Sequence, residues 1–138
     1  MKNECLTPRQ IEERLSAAGV RPTAQRIAIA QYVLCDATHP TADDVKRWTD
    51  KNFPKLSMAT VYNTLSALVK AGLLREFRLS HSTRVVYDQN VAAHHHFLDE
   101  KTGKLHDLSS DDVEVRLKRG ARVKVRQAEV LLRGEWAG

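Results

Sequence analysis

Three consecutive histidines, His94, His95 and His96, are where residue type and spacing come closest to chemistry in this 138-residue chain. Successive residues of a β-strand face opposite sides, so His94 and His96 share one face and His95 takes the other. Two imidazoles two residues apart on a strand can grip the same metal ion. Asp88 precedes the run, and His106 and Asp107 follow it after the turn-like stretch DEKTGK. A chain reversal at that turn would lay Asp107 beside His96. Imidazole nitrogen and carboxylate oxygen together make a site of intermediate hardness, suited to Fe(II), Mn(II), Co(II) or Zn(II). The competing reading of an isolated HHH is a polar strand end, and the flanking aspartates favour a ligand set. The chain has two cysteines, Cys5 and Cys35, and no CxxC pair. That excludes a disulfide framework and a zinc ribbon. Both are candidate redox sensors, but Cys35 falls on an apolar helical face, which suits an inert core thiol, and Cys5 lies near the terminus.

Helices come first along the chain, and strands later. Thr7 followed by Pro8 predicts the start of a helix over PRQIEERLSAA, which Gly19 stops. Thr23 caps AQRIAIAQYVLCDA, whose Ile27, Ala30, Val33 and Leu34 recur at three- and four-residue spacing. Thr41 caps ADDVKRWTDKN, with Asp43 and Asp44 at the positive helix end. Pro54 lies in the linker that follows. Ser57 caps MATVYNTLSALVKAG, with Val61, Leu65, Leu68 and Val69 as its apolar stripe and Gly72 after it. The period then changes. Glu76–Leu79 and Arg84–Asp88 flank a polar SHST turn and predict a hairpin. His94–Leu98 and Leu105–Leu108 predict a second strand pair. VEVRL and RVKVRQAEVLLR alternate apolar with charged residues and predict further strands.

Composition bounds the class. Hydrophobic residues are 42% and charged residues 28%, a globular balance. No apolar run reaches the ~18 to 20 residues that span a bilayer. The start MKNECLTPRQIEERL lacks a basic-then-apolar signal, so a cytoplasmic protein with no membrane partner is expected. Net charge is +5. Residues 1–88 hold 13 Lys/Arg against 9 Asp/Glu, and residues 89–138 hold 9 against 8. The basic excess of 13 − 9 = +4 thus sits in the first part, against 9 − 8 = +1 in the second, and an anionic partner belongs there.

Three helices, a fourth capped by Ser57 and then a hairpin describe a winged helix. Its recognition helix is the one from Ser57 to Lys70, whose first turn enters the major groove of double-stranded DNA. Ser57, Thr60, Tyr62, Asn63 and Ser66 lie on the exposed side. Their hydroxyls and amide can bond base edges or phosphates, and the Tyr62 ring can press on a thymine methyl. Arg75, Arg78 and Arg84 of the hairpin can reach the backbone. The expected class is therefore α+β, with a winged-helix DNA-binding domain over 1–88 and a smaller dimerisation and metal-sensing domain over 89–138.

RPTAQR, HPTADDV, LSMATVYNTLSALVKAGLLRE, YD, HHHF and GKLHDL occur in this order. Together they resemble the ferric uptake regulator family over about residues 15–108. The resemblance implies a homodimeric, metal-sensing transcription factor, expected to be a repressor and not an enzyme, with an N-terminal winged helix and a C-terminal α/β dimerisation domain. Carried onto matching positions, the family's sensing site implies His39, Asp88, His94, His96 and Asp107. His39, far upstream in DATHPTADD, enters mainly through the resemblance. Arg21 matches a basic position that approaches the minor groove, and Tyr62 and Asn63 match the base-reading pair.

The departures narrow the reading. Many members carry structural zinc on two CxxC pairs, but here Asp99 and Thr102 occupy the first pair's positions, and LLRGEWAG, where the second would fall, has no cysteine. Strand pairing and apolar packing must hold the dimer instead. The stretch after Asp107 is short, so the helix usual there is expected to be absent or reduced to a turn. Asp88 resembles the peroxide-sensing (PerR) branch, in which Fe(II)-driven oxidation strikes a ligand, here His39 or His94, while Mn(II) leaves the site intact. Zn(II) can occupy such a site in purified protein. The alternative is the iron- and haem-responsive (Irr) branch, which HHH and the missing cysteines also resemble; there His95 is a candidate second-site or haem ligand. A His/carboxylate oxygenase and a haem- or metal-storage module are the remaining classes, separable by turnover and by salt-dependent DNA affinity.

Overall fold

The computed structural model describes residues 5–53, 55–78, 84–91 and 94–137. Helix α1 (Pro8–Ala17) opens on a capping box, in which Thr7 Oγ1 accepts from the Gln10 amide at 3.2 Å and Gln10 Oε1 accepts from the Thr7 amide at 2.9 Å. Ile11 and Leu15, one turn apart, form its buried face. Gly19, at φ +79, takes the left-handed turn that ends the helix. Helix α2 (Ala24–Gln31) starts at Thr23, whose side chain accepts from the Arg26 amide at 3.2 Å.

The helix expected over 24–37 does not continue as one α-helix. After Gln31 the chain widens into a π-helical turn, Tyr32–Asp36, closed by the Ala37 amide donating to the Tyr32 carbonyl at 2.9 Å. Val33 and Leu34 stay buried through it. The widened segment is a single turn, too short for an apolar period to distinguish it from α-helix.

Helix α3 (Ala42–Asn52) has a second capping box: Thr41 Oγ1 accepts from the Asp44 amide at 3.0 Å, and Asp44 Oδ2 accepts from the Thr41 amide at 2.9 Å. Helix α4 (Met58–Lys70) is capped by Ser57, whose Oγ accepts from the Thr60 amide at 3.1 Å. Val61, Leu65 and Leu68 are fully buried and Val69 is partly so. With Ile11, Leu15, Ile29, Val33 and Val45 they make one contiguous core. Each such aliphatic side chain contributes about 1.5–3 kcal/mol by leaving water. Tyr32 and Trp48 stack at 4.3 Å on its flank. The strands β1 (Arg75–Arg78) and β2 (Val85–Asp88) pair antiparallel, Arg75 opposite Asp88. Leu79, the SHST turn and Pro54 lie outside the described residues. The Tyr87 amide donates to the Pro40 carbonyl at 2.9 Å and ties β2 to the segment before α3.

Cys5 and Cys35 are joined by a disulfide, with Cα atoms 5.4 Å apart. This corrects the expectation of an inert Cys35 and an unrelated Cys5. The packing of α1 against α2 brings together two positions 30 residues apart.

The chain divides into two compact units, Met1–Val91 and Ala92–Gly138. In the second, β3 (His94–Asp99) pairs antiparallel with β4 (Leu105–Ser109) and parallel with β5 (Leu131–Gly134), in the order β4-β3-β5. The strands expected from VEVRL and from most of RVKVRQAEVLLR are not formed: only 131–134 is strand, and Val115, Leu117, Val123 and Val125 are exposed. Alternation marks residues that share a face, but a strand needs a partner for its amides and carbonyls. Among the described residues, 113–130 have no strand partner, and the three-stranded sheet is β4-β3-β5 alone. The described residues of this unit include no helix. Among the described residues no helix is long and apolar enough to cross a membrane.

Candidate metal centre and nucleic-acid interface

The β3–β4 register sets His96 opposite Asp107, and the pleat puts His94 on the same face. His94 Nε2 and His96 Nε2 lie 3.1 Å apart. Asp107 Oδ1 is 3.4 Å from the first and 3.6 Å from the second. The two imidazoles are buried, while 31% of the Asp107 side chain is exposed. The carboxylate separations exceed the hydrogen-bond mode of about 2.9–3.0 Å. They suit ligand edges: an ion holding donors at about 2.1 Å spaces neighbours about 3.0 Å apart at right angles and about 3.4 Å at tetrahedral angles. Three donors converging on one point with these spacings fit a divalent cation.

The other two expected donors belong to the first unit. His39 Nε2 lies 3.3 Å from Asp88 Oδ2, with only 8% and 4% of the side chains exposed. Asp88 Oδ1 accepts from the Asn90 amide at 2.9 Å, which holds the carboxylate in place. His39 has φ +44 and precedes Pro40. A residue with a Cβ pays roughly 1–3 kcal/mol for such a backbone, and such strain gathers at functional positions. Nothing in residue spacing foretold it.

His95 points to the opposite face of β3, and its Nδ1 accepts from the Val130 amide at 3.0 Å. The ring thus anchors the chain entering β5, and its placement lends the expected haem ligation no support. The CxxC-equivalent turn is closed without sulfur. Asp99 Oδ2 accepts from Thr102 Oγ1 at 2.9 Å, and Oδ1 accepts from the Lys101 amide at 3.0 Å. The Thr102 hydroxyl is the main reason the Asp99 carboxyl sits below its ordinary range. Asp99 pairs with Gly134 in the β3–β5 register. Trp136, just beyond, stacks on His106 at 4.1 Å and leans on Phe97 at 5.5 Å. Those contacts were not legible in sequence, because they join β4, β3 and the chain end.

On the first unit, Tyr62 is 48% exposed, and Arg21, Asn63 and Ser66 are exposed with it. Ser57 is exposed and Thr60 half-buried, but the Ser57 hydroxyl is engaged by its capping bond and by Thr60 Oγ1 at 3.1 Å. Arg21 holds its carbonyl to Arg26 Nη1 at 2.9 Å, leaving its own side chain on the surface. A cleft of about 480 Å³ between α4 and the hairpin is lined by Asp43, Tyr62, Ser66, Glu76, Arg78 and Arg84, among others. Tyr87 lies opposite Glu76 in the hairpin. Burial first, then the Glu76 carboxylate, pushes the Tyr87 phenol up to about 12, so it stays a donor at neutral pH.

The profile of the ferric uptake regulator family matches residues 17–132. The peroxide-responsive repressor PerR of Staphylococcus aureus is 37% identical over 102 residues, which cover 72% of this chain and 68% of that protein. The solved PerR of Streptococcus pyogenes, described in connection with peroxide sensing and gene regulation, is 29% identical at a TM-score of 0.54. It covers 99% of this chain and 94% of its own. The Vibrio cholerae ferric uptake regulator shares the fold at a TM-score of 0.70 and 22% identity, over 91% of this chain and 98% of its own.

Proposed function

This chain belongs to the ferric uptake regulator family, whose members are transcriptional regulators and not enzymes, and on that footing we propose that it is a peroxide-responsive repressor governed by one divalent ion. The observation that carries the reading is the convergence of His94 Nε2, His96 Nε2 and Asp107 Oδ1 within 3.1–3.6 Å. The His39–Asp88 pair supplies the donors from the other side of the hinge. Residues 1–88 read DNA, and residues 89–138 sense metal and pair two copies of the chain. Arg21, Tyr62 and Asn63 make the operator contacts, with Thr60 and Ser57 shaping the helix start.

Five donors drawn from both parts fix the angle between them. Two recognition helices in a homodimer then meet major-groove faces about 34–36 Å apart. The ligand set must hold the ion more tightly in the DNA-competent arrangement, or metal would not shift the population. Fe(II) or Mn(II) fits the mixed imidazole–carboxylate donors, and Zn(II) can occupy them in purified protein. Bound by these residues, Fe(II) would supply reversible one-electron chemistry toward hydrogen peroxide, which Mn(II) supplies poorly. The imidazole of His39 or His94 would take up one peroxide oxygen while giving up two electrons and a ring proton in total, so that one H2O2 becomes one water. An oxygenated ring would cease to donate, the two parts would separate and DNA would be released.

Mass spectrometry tests this on full-length protein loaded with Fe(II) or Mn(II) and exposed to H2O2. A gain of one oxygen on His39 or His94 with iron only, together with loss of operator binding, supports the reading. Equal oxidation with both metals, or oxidation that leaves DNA binding intact, overturns it.

A further inference from the structure

We propose that Cys5 and Cys35 form an oxidant-responsive dithiol, a second redox site separate from the histidine and aspartate donors. Both cysteines belong to the first unit, and their Cα atoms are 5.4 Å apart. That lies inside the range of about 4.4–6.8 Å that a disulfide needs. The fold holds both positions near each other by packing. Cys5 stands two residues before the Thr7 cap of α1, and Leu6, Ile11 and Leu15 seat that end in the core. Cys35 lies in the π-helical turn, flanked by the buried Leu34 and the half-buried Tyr32 side of the core.

Exposure assigns the order of events. Cys5 is exposed and Cys35 half-buried, so Cys5 meets a hydroperoxide first. Its thiolate attacks one peroxide oxygen, the O–O bond breaks, and the other oxygen leaves as water or an alcohol. Cys35 sulfur then attacks the Cys5 sulfenic sulfur, and hydroxide departs as water with the Cys35 proton. Two thiols lose two electrons and two protons in total, and one peroxide is reduced. An exposed Cys5 also admits a reducing dithiol, which returns the pair to thiols by exchange. The bond ties the start of α1 to the turn that leads, four residues on, to the strained His39. Oxidation therefore rigidifies the approach to that histidine.

The test uses the full chain loaded with Mn(II), in the reduced state, and treated with near-stoichiometric H2O2. The expected product is 2 Da lighter, has both cysteines shielded from iodoacetamide, stays within one chain, and reverts with dithiothreitol. Amide exchange over 32–41 should slow at least tenfold. Cys35→Ser should leave a dimedone-reactive sulfenic acid on Cys5, and Cys5→Ser should leave Cys35 a thiol. Two alkylatable thiols after oxidant, a disulfide between two chains, or unchanged exchange over 32–41 would overturn the proposal. A 16 Da gain on histidine reports the metal site instead, so each idea can fail without the other.

Discussion

His39 offers a test in which one position yields two independent readings. Its φ of +44 places a residue bearing a Cβ in the left-handed region, directly before Pro40. We compare His39→Ala with His39→Gly. Both variants remove the same buried imidazole and its 3.3 Å contact with Asp88, so those terms cancel between them. What remains is backbone. A left-handed conformation costs a Cβ-bearing residue about 1–2 kcal/mol. Glycine escapes that but loses about 0.5–1 kcal/mol through its freer unfolded chain. The balance makes the glycine variant more stable than the alanine variant by about 0.5–1 kcal/mol. At an ordinary φ the order reverses by a similar amount. Urea unfolding of the full chain in metal-free buffer measures the difference, provided the two slopes agree. Calorimetry with Mn(II) supplies the second reading: both variants lose affinity by the same factor, at least about 100-fold, since a ligand is gone from each. An alanine variant as stable as the glycine variant would refute the strain argument. Undiminished Mn(II) affinity in both would refute the ligand role of His39.

Three further outcomes are expected. Tyr62→Ala should weaken operator binding by about 1–3 kcal/mol while leaving Mn(II) uptake unchanged and unfolding within about 0.5 kcal/mol, because Tyr62 lies on the surface; normal gel shifts would remove it from the reading surface. Reducing the Cys5–Cys35 link reopens a loop spanning 30 residues, and chain entropy puts the stability loss at up to about 4 kcal/mol; coincident denaturant curves with and without dithiothreitol would contradict that. The Asp99 carboxyl is held low chiefly by the Thr102 hydroxyl. Its stabilisation is therefore full above the unfolded value of about 3.9 and lost as pH falls through the lower folded value. Thr102→Val should thus shift acid unfolding to higher pH, followed by circular dichroism between pH 5 and 2, and an unmoved acid limb would count against it.

Features that depend on neighbours along the chain were legible in the sequence. Thr7, Thr23, Thr41 and Ser57 each cap a helix because a short hydroxyl side chain meets an unpaired amide two or three residues on. The pleat alone puts His94 and His96 on one face, and the DEKTGK turn folds Asp107 back beside them. The family resemblance added His39 but carried no hint of its backbone. Other features depend on what lies across space. The parallel β3–β5 pair, the Cys5–Cys35 link and the Trp136–His106 stack all join residues far apart in sequence. Val115, Leu117, Val123 and Val125 make the same point in reverse. Their alternation names a common face, yet only pairing with a neighbouring strand makes a strand of it, and among the described residues none pairs with this segment.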